Sequence, residues 1–256
     1  MTETLVQAHQ NANNLLFQSF YKNVWRKLIP PGLTEAEADF IEDVADLDTQ
    51  SHVLDIMCGY GRHAIALAKK GIRVTAIDNL PDYINQINNV AQQERLPLES
   101  KLEDVATTSF DGPYDAVICM GNCFSSFDYP RAINVLANIT KSLKKGGVFI
   151  INSWMIAEIA IKHFEAKTWL YVDEYKYLLD NQFLFQPTRI ETDHIVIHEN
   201  GETQILKGVD YTFTFAELEK MLANAGLKMT DVYSTPRKKK YSFGDNRAYI
   251  VAKKVV

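Results

Sequence analysis

A carboxylate and two glycines lie close together in this sequence, at the end of an apolar segment. Asp55 lies inside the apolar run 53–57, where burying an unpaired carboxylate is costly. Gly59 and Gly61 follow it, and glycines at a strand-to-helix turn let the backbone approach a ligand closely. This combination predicts a site for a ligand that carries positive charge. Two alternatives stay open: the glycines form an ordinary tight turn, and Asp55 orders the amides of its loop.

Two further acidic residues follow the next apolar segments. Asp78 ends the second segment, where a carboxylate can accept hydrogen bonds from both hydroxyls of a ribose. The alternative for Asp78 is an N-cap of the following helix, which Asn79 could provide equally well. Asp104 follows the third segment and can accept an adenine amino group, with Leu102 and Val105 against the ring. Together these residues predict a nucleoside site.

The elements that would position these residues alternate between strand and helix. Apolar runs separated by helical patterns cover residues 53–57, 72–77, 98–102, 116–120 and 148–151. The alternation predicts an α/β fold with a doubly wound, mostly parallel sheet that holds its ligand at the carboxyl ends of the strands. A helix beginning at Phe215 precedes two further strands, which bring the predicted sheet to seven and cover residues 227–233 and 247–253.

The segment before Phe215 has a different pattern. Residues 154–213 resemble antiparallel strands, with Asn200-Gly201 as a strong hairpin turn and Asp180-Asn181 as a weaker one. This segment is predicted to be a cap inserted into the sheet domain. We therefore expect three parts: an N-terminal helical lid at 1–33, a Rossmann-like ligand-binding domain at 34–153 and 214–256, and the cap at 154–213.

The N-terminal segment predicts two helices. Residues 15–28 form an aromatic-rich pattern that includes Phe20 and ends before Pro30. The second helix begins at Thr34, and Glu37 completes a capping box with it.

The acidic and glycine positions together resemble the class I S-adenosylmethionine-dependent methyltransferases. The resemblance rests on Asp55, Gly59 and Gly61, Asp78 and Asp104, covers roughly 34–152, and resumes at 211–253. It implies S-adenosylmethionine as the cofactor, whose sulfonium and α-ammonium would explain the acid at the first strand. This sequence departs from the family at Met57, where the family usually has glycine, so a side chain there would narrow the methionine end of the pocket.

Two local strings narrow the resemblance further. Residues 58–64 are similar to a group of small-molecule methyltransferases, and residues 115–124 resemble the same stretch of glycine and sarcosine N-methyltransferases. By that resemblance Met120, Gly121 and Asn122 would line the reaction centre. Asn122 is the one candidate for a catalytic residue, and its alternative is a turn residue after Gly121.

The expected contacts with the cofactor and the acceptor follow from these patterns and the resemblance. The predicted cofactor-binding residues are Asp55, Met57, Cys58, Gly59, Gly61, Asp78, Asn79, Glu103, Asp104, Val105, Met120, Gly121, Asn122, Tyr21 and Arg26. The candidates for binding the acceptor are Phe124, Trp154 and Tyr171, two of them in the cap. Arg26 is the candidate for the carboxylate of the cofactor.

The expected reaction is direct displacement at the sulfonium methyl by an atom of a small-molecule acceptor. The glycine pattern Gly59-x-Gly61-x-x-Ala64 also fits a nicotinamide-dependent oxidoreductase, which leaves Asp55 unexplained. The third alternative is a non-catalytic module that binds S-adenosylmethionine.

Composition and charge exclude several other classes of function. A net charge of -5 argues against a nucleic-acid partner, and no run approaches the ~18 apolar residues of a membrane span. No Cys/His grouping has the spacing of a metal site. The basic run 237–240 is expected to be a solvated loop, and Cys123 a packed residue rather than a nucleophile.

The sequence also bears on the cellular compartment and the oligomeric state of the protein. Residues 1–14 have no basic start and no apolar core, so we do not expect a signal peptide. The three cysteines suit reduced thiols in the cytoplasm. A homodimer stays open. His63 is expected at the rim of the pocket, and His194 and His198 on the surface.

Overall fold

Apolar strands alternate with amphipathic helices along most of the chain in the computed structural model, which describes residues 13–19 and 21–255. Residues 13–18 are helical, and the helices that follow are α1 (Tyr21–Leu28), α2 (Leu33–Ala45), α3 (Arg62–Lys69), α4 (Pro81–Glu94), α5 (Tyr129–Ser142), α6 (Ala157–Lys162) and α7 (Phe215–Asn224). The strands are β1 (His52–Ile56), β2 (Arg73–Asp78), β3 (Leu98–Leu102), β4 (Tyr114–Cys119), β5 (Leu143–Ser153), β6 (Lys167–Val172), β7 (Tyr175–Phe185), β8 (Thr188–Ile197), β9 (Thr203–Tyr211), β10 (Leu227–Tyr233) and β11 (Ala248–Lys254). A 3-10 turn covers Cys123–Ser126.

Seven strands form one mixed sheet in the order β10-β11-β5-β4-β1-β2-β3. Every adjacent pair from β5 to β3 is parallel, and β11 is antiparallel to both of its neighbours. The chain order reverses between β1 and β4, because β2 and β3 continue to one side and β5 to the other. In an open α/β sheet this reversal marks the crevice in which ligands bind. The prediction of a doubly wound, mostly parallel seven-stranded sheet is therefore confirmed.

The central strands are buried on both faces, which explains their continuous apolar runs. On one face Leu54 and Val117 lie in a core shared with α5 and α7. On the other face Val53 and Ile118 lie in a second core, shared with α2 and α3. These two cores hold β1 and β4 rigidly, so the loops at their carboxyl ends have fixed positions.

A second sheet of four antiparallel strands has the order β6-β7-β8-β9. Its inner face carries Tyr177 and Val196, which pack against Leu16, Tyr21 and Val24 of the N-terminal helices. The antiparallel cap sheet is therefore confirmed, and the predicted division into three domains stays a prediction.

The hairpins of the cap agree with the sequence at one position and differ at another. Asn200 and Gly201 lie in the turn between β8 and β9, as predicted, and Gly201 has a left-handed φ of 85°. The predicted turn at Asp180-Asn181 is wrong, because both residues lie inside β7 and pair with β6 or β8. Cross-strand pairing on both sides outweighs the turn propensity of an isolated Asp-Asn pair.

The N-terminal helices also differ from the prediction. The expected helix 15–28 is interrupted at Ser19, whose hydroxyl donates to the Leu16 carbonyl and accepts from the Tyr21 backbone N–H. Such local side-chain bonds compete with helix continuation. Phe20 and residues 1–12 lie outside the described residues, together with the predictions made for them.

Glu37 does not form the predicted capping box. Helix α2 begins one residue earlier, at Leu33, with Gly32 as an N-cap that makes no side-chain hydrogen bond. The Glu37 carboxylate is instead fully buried, 2.6 Å from the Arg62 guanidinium and 2.9 Å from His63 Nε2, and it accepts a 2.7 Å bond from the Tyr249 hydroxyl. A capping box does occur in α7, between Thr214 and Glu217.

The Glu37 network joins α2, α3 and β11 through one charge. Burial alone would raise the pKa of Glu37, but the hydrogen bond and charge of His63, the charge of Arg62 and the Tyr249 hydroxyl lower it to about 2. A carboxyl whose pKa is lower in the folded state stabilises the fold above its unfolded pKa of about 4.3. That contribution is lost as the pH falls towards 2.

We predict that Glu37→Gln lowers the free energy of unfolding at pH 7 by about 3 kcal/mol, because Arg62 would keep a buried charge without its partner. Denaturant unfolding measures the effect, and Glu42→Gln, at an exposed ion pair on the same helix, should change it by less than about 1 kcal/mol. The difference between wild type and Glu37→Gln should shrink below pH 4. Equal stability of the two proteins at pH 7 would contradict a structural role for this charge.

Candidate active site

A cleft of about 380 Å³ opens at the carboxyl ends of β1, β2 and β4, where the strand order reverses. Most of the predicted cofactor-binding residues line it, and they are Asp55, Met57, Cys58, Gly59, Asp78, Asn79, Glu103, Asp104, Val105, Met120 and Gly121. Four predicted residues do not line it: Gly61, Asn122, Tyr21 and Arg26. The alternation of strands and helices, together with the family resemblance, predicted eleven cleft residues from four separate loops.

Asp55 carries an unsatisfied oxygen at the base of the cleft. Its side chain is 1% exposed, and its Oδ2 has no hydrogen-bond partner among the described residues. Burial raises the pKa of Asp55 to about 8, although the charge of Arg62 and the Ala64 backbone N–H oppose the shift. A buried carboxyl with a free oxygen fits a ligand that brings a positively charged donor. Asp55 is therefore suited to an ammonium group.

The backbone of the glycine turn is left-handed at three positions. Gly59 has φ 56°, and a Cβ there would meet nothing within 4 Å, because the space beside it is the cleft. Gly61 has φ 77°, and its Cβ would lie 2.6 Å from Ile87, so this glycine permits close packing of α4. Met57 also has a positive φ, 53°, at the position where a glycine would be relaxed. The departure from the family at Met57 thus places a strained residue, with its side chain, at the cleft.

Asp78 holds the same turn from the second strand. Its two carboxylate oxygens accept hydrogen bonds from the Gly59 backbone N–H at 2.8 Å and the Leu80 backbone N–H at 3.0 Å. Burial raises the pKa of Asp78, and these N–H groups oppose the shift. The N-cap of α4 is Leu80, so the capping alternative does not describe this residue. Asp78 instead ties the end of β2 to the turn after β1, and it faces the cleft.

The loop after β3 contributes Glu103, Asp104 and Val105. The Asp104 carboxylate accepts a 2.9 Å bond from the Ala106 backbone N–H, which fixes a turn, and Val105 is buried. The expectation that Leu102 faces the ring is wrong, because Leu102 is 54% exposed and does not line the cleft. The strand ends at Leu102, and its pleat turns this side chain away from the cleft.

Asn122 follows the fourth strand but does not line the cleft. Its amide nitrogen donates to Ser125 Oγ at 2.9 Å and to Asp210 Oδ1 at 3.1 Å. Its amide oxygen accepts three bonds, from Ser153 Oγ and from the backbone N–H groups of Trp154 and Met155. With φ 69° it is also the left-handed turn residue of the alternative. All of its polar atoms are engaged in joining the sheet domain to the cap.

The N-terminal helices cover one side of the cleft. Phe17 and Trp25 line it, and the Trp25 ring lies 4.0 Å from the position that a Cβ on Gly121 would take. Tyr21 is 7% exposed and packs against the cap, so the structure does not place it in the cleft. Arg26 lies behind the cleft wall, with its guanidinium 4.4 Å above the Tyr60 ring.

The three candidates for binding the acceptor have different positions. Phe124 is 4% exposed and packs against Phe127 and Phe149 in the core, where it cannot contact a substrate. Tyr171 is 62% exposed on β6, away from the cleft, and the structure gives neither residue the predicted contact. Trp154 does not line the cleft either, but its ring lies 5.7 Å from that of Trp25, which does.

Several of the residues that line the cleft were not predicted from the sequence. They are Asn13, Asn14, Tyr60, Arg62, Leu80, Tyr83, Ala106, Thr107, Ser126, Phe127 and Arg131. Tyr60 and Arg62 belong to the glycine turn itself, and their spacing from Asp55 could have identified them. Asn13 and Arg131 come from distant elements, and only the tertiary structure brings them to the cleft.

The structure also places two histidines and one cysteine for which the sequence made predictions. His63 lines the cleft, and its ring is hydrogen-bonded to Glu37. His194 is 8% exposed, so the expected surface position is wrong, and its Nδ1 lies 2.5 Å from the Tyr177 hydroxyl. Cys123 lines the cleft, but burial raises the pKa of its thiol to about 12, which opposes its use as a nucleophile.

The basic run 237–240 is engaged with acidic neighbours. Lys238 pairs with Asp43, Lys239 with Asp245, and Lys240 with Asp231. These exposed pairs agree with a solvated loop. In the described part of the chain no grouping of three or more His, Cys, Asp or Glu residues could hold a metal ion.

Comparison with known proteins identifies the same class. A model of the methyltransferase domain matches residues 53–147. The putative methyltransferase YqeM of Bacillus subtilis is 28% identical over 84% of this chain and 87% of its own length. The glycine/sarcosine N-methyltransferase of Parasynechococcus marenigrum is 30% identical over 50% of this chain and 47% of its own. Among solved structures, the CcbJ methyltransferase of Streptomyces caelestis has a TM-score of 0.79 at 19% identity, covering 90% of this chain and 92% of that one.

A doubly wound sheet with this strand order, and an acid and a glycine turn at its reversal, define a methyltransferase of class I. The chain belongs to the class I S-adenosylmethionine-dependent methyltransferases, and S-adenosylmethionine is its cofactor. The free Asp55 oxygen and the open side of Gly59 fit the cofactor.

We predict different effects when alanine replaces each glycine of the turn. Both changes carry the left-handed strain of about 1–2 kcal/mol, but Gly61→Ala adds overpacking against Ile87. Gly61→Ala should therefore lower the free energy of unfolding by at least about 1 kcal/mol more than Gly59→Ala. Gly59→Ala should weaken S-adenosylhomocysteine binding more strongly, because its Cβ would enter the cleft. Denaturant unfolding and titration calorimetry measure the two effects, and a reversed order in either would refute the assignment.

A second prediction concerns Asn122. Asn122→Asp removes the two donors and places a carboxylate beside Asp210, so it should lower the free energy of unfolding by about 2 kcal/mol or more. Adding Asp210→Asn supplies an amide donor opposite the new carboxylate and should recover at least half of the loss. Full stability of Asn122→Asp with lost turnover would instead restore Asn122 as a catalytic candidate.

Proposed function

We propose that the protein transfers a methyl group to a small-molecule acceptor by direct displacement, in the cleft that the N-terminal helices cover on one side. The observation that carries the proposal is the closure of the cleft beside Gly121. The Trp25 ring covers that turn, and Trp154 stands behind it. A folded protein or nucleic-acid strand would need an open groove there.

The similarity to known enzymes supports the same substrate class. The glycine/sarcosine N-methyltransferase acts, by its name, on two small amino acids, and its similarity spans half of this chain. We extend this class of acceptor, a small molecule, to the present protein.

Different residues of the cleft are expected to contact different parts of the cofactor. Asp55 would accept from the α-ammonium, Asp78 from the ribose hydroxyls, and Asp104 would face the adenine. Bound S-adenosylmethionine supplies a methyl group that its sulfonium already activates. The part left to the protein is to hold the acceptor in line and to exclude water, which accounts for large rate enhancements. No general base is obligatory unless the acceptor arrives protonated.

The surroundings of Arg26 support its predicted contact with the methionine carboxylate of the cofactor. Its buried Nε has no hydrogen-bond partner, and no carboxylate of the described residues forms an ion pair with it. Its Nη2 donates to Gln86, and its guanidinium covers Tyr60, a residue of the cleft wall. A modest movement of this side chain would bring an unpaired positive charge to the cleft.

The predicted cytoplasmic location receives support from the thiols. Cys58, Cys119 and Cys123 are free, as expected in a reducing compartment. In the described residues no helix is long and apolar enough to cross a membrane. The homodimer stays a prediction.

We predict that Asp55→Asn weakens S-adenosylhomocysteine binding at least tenfold, about 1.4 kcal/mol, because the α-ammonium loses its counter-charge. Stability without ligand should not fall, since burial already disfavours the charged carboxyl. In the wild type, binding should strengthen as the pH rises to 8, because Asp55 must release its proton to meet the ammonium. Titration calorimetry measures both effects, with exposed Asp231→Asn as the control. Unchanged affinity in Asp55→Asn would contradict the assignment.

The class of acceptor is tested by methyl transfer from labelled S-adenosylmethionine to a panel of metabolites, a peptide library and RNA. Mass spectrometry of the products identifies the methylated class. Transfer to small molecules alone is expected. Methylated peptide or RNA in the absence of a methylated metabolite would overturn the proposal.

A further inference from the structure

Asp210 is a half-buried carboxylate on the inner face of the cap sheet. It pairs with Ile190 across β9 and β8, and the alternation along β8 places Thr192 and His194 on the same face. That face also carries Tyr177 and packs against Tyr21 of the N-terminal helices. Asp210 therefore lies on the face of the cap that packs against the N-terminal helices, next to residues of the cleft rather than among those that line it.

Among the described residues, hydrogen bonds reach only one of the two Asp210 oxygens. Its Oδ1 accepts hydrogen bonds from Ser125 Oγ at 2.5 Å and Asn122 Nδ2 at 3.1 Å. Its Oδ2 makes no hydrogen bond in the described part of the chain, and no Lys, Arg or His there forms an ion pair with it. Burial raises the pKa of Asp210, and the Ser125 hydroxyl opposes the shift. A carboxylate in this state gains most from a donor that carries positive charge.

Asp210 is adjacent to the cleft that holds the cofactor. Ser125 belongs to the same 3-10 turn as Cys123 and Ser126, and both of those residues line the cleft. Asn13, another lining residue, exchanges two 2.9 Å bonds with the backbone of Val209. The negative charge of Asp210 contributes to the raised pKa of both Cys123 and Tyr21. The carboxylate thus stands beside the methyl-transfer end of the cleft.

The aromatic side chains around this position favour a cation. Tyr21 and Tyr177 have ring centroids 5.8 Å apart, and Trp25 stacks on Tyr21 at 6.4 Å. Aromatic faces attract ammonium groups more strongly than they attract neutral hydroxyls. We propose that the acceptor is a primary or secondary amine and that Asp210 binds its nitrogen through Oδ2. This inference rests on the proposed function and names the substrate class of the same site.

The carboxylate also has a chemical task with such an acceptor. An ammonium has no lone pair, so it must lose one proton before it can attack, and Asp210 Oδ2 accepts that proton. The amine lone pair then forms the new N–CH3 bond as the C–S bond breaks, and the electron pair of that bond remains on sulfur. The proton on Asp210 passes to solvent after the product leaves.

His194 is the other group on this face that could act as a base. Its Nδ1 is engaged by the Tyr177 hydroxyl at 2.5 Å, and its Nε2 lies 2.6 Å from where a Cβ on Gly208 would be. Burial lowers the pKa of His194 to about 4, so its ring is a weak base. Both of its nitrogens are enclosed, which leaves Asp210 as the proton acceptor.

The test compares Asp210→Asn with Asp193→Asn, a carboxylate of the adjacent strand that pairs with Lys207. Asparagine can keep both bonds to Oδ1, so the cap should remain in place. Each protein is saturated with S-adenosylhomocysteine and titrated with cyclohexylamine, cyclohexanol, glucosamine and glucose. In the wild type each amine should bind at least tenfold more tightly than its hydroxyl counterpart. Asp210→Asn should lose that preference, and Asp193→Asn should keep it within twofold.

A second variant separates binding of the amine from attachment of the cap. Ser125→Ala removes the 2.5 Å bond but leaves the carboxylate, so its preference for amines should persist. Equal loss of the preference in both variants would assign Asp210 a purely structural role and overturn the inference. So would wild-type affinity for amines in Asp210→Asn, or no preference for amines in the wild type. A wild type that fails to bind S-adenosylhomocysteine would contradict the proposed function itself.

Discussion

The reversal of strand order between β1 and β4 is the constraint on which the site depends. The helices that follow these two parallel strands pack on opposite faces of the sheet, so neither of them fills the gap between the carboxyl ends of the strands. The backbone there must turn sharply, and the left-handed residues Gly59, Gly61 and Met57 allow it to do so. Asp78 then fixes the turn from the neighbouring strand, through the Gly59 N–H. The cleft is a consequence of the strand order, and the side chains that line it set its shape and charge.

Two buried carboxyls show that the neighbouring donors and charges determine the direction in which the pKa of a buried carboxyl shifts. Glu37 is completely buried, yet Arg62, His63 and Tyr249 surround it and lower its pKa. Asp55 is equally buried, but one of its oxygens has no partner in the described structure, and its pKa is raised. The first carboxyl therefore holds helices together, and the second retains binding capacity for a ligand. Burial costs are similar in the two places, and the available donors determine the outcome.

The junction between the two sheets depends on one amide. Asn122 has three bonds to its oxygen and two from its nitrogen, and it connects the end of β4 with the end of β5 and with β9. The turn after β4, which lines the cleft through Gly121, is therefore fixed to the cap by side-chain hydrogen bonds. Because Asp210 shares this network, any group that engages its free oxygen would be held at a defined distance from Gly121.

The sequence, together with the family resemblance, predicted the sheet, the cofactor and eleven of the residues that line the cleft. Strand and helix periods differ, and a parallel sheet brings its loops to one edge, so Asp55, Asp78 and Asp104 could be grouped without coordinates. The roles of Glu37, Asn122 and Asp210 were decided only by the tertiary structure. Each is a short polar side chain that local rules assign to caps, turns or solvent. Their partners lie in distant parts of the chain, and only packing shows which donors and acceptors meet.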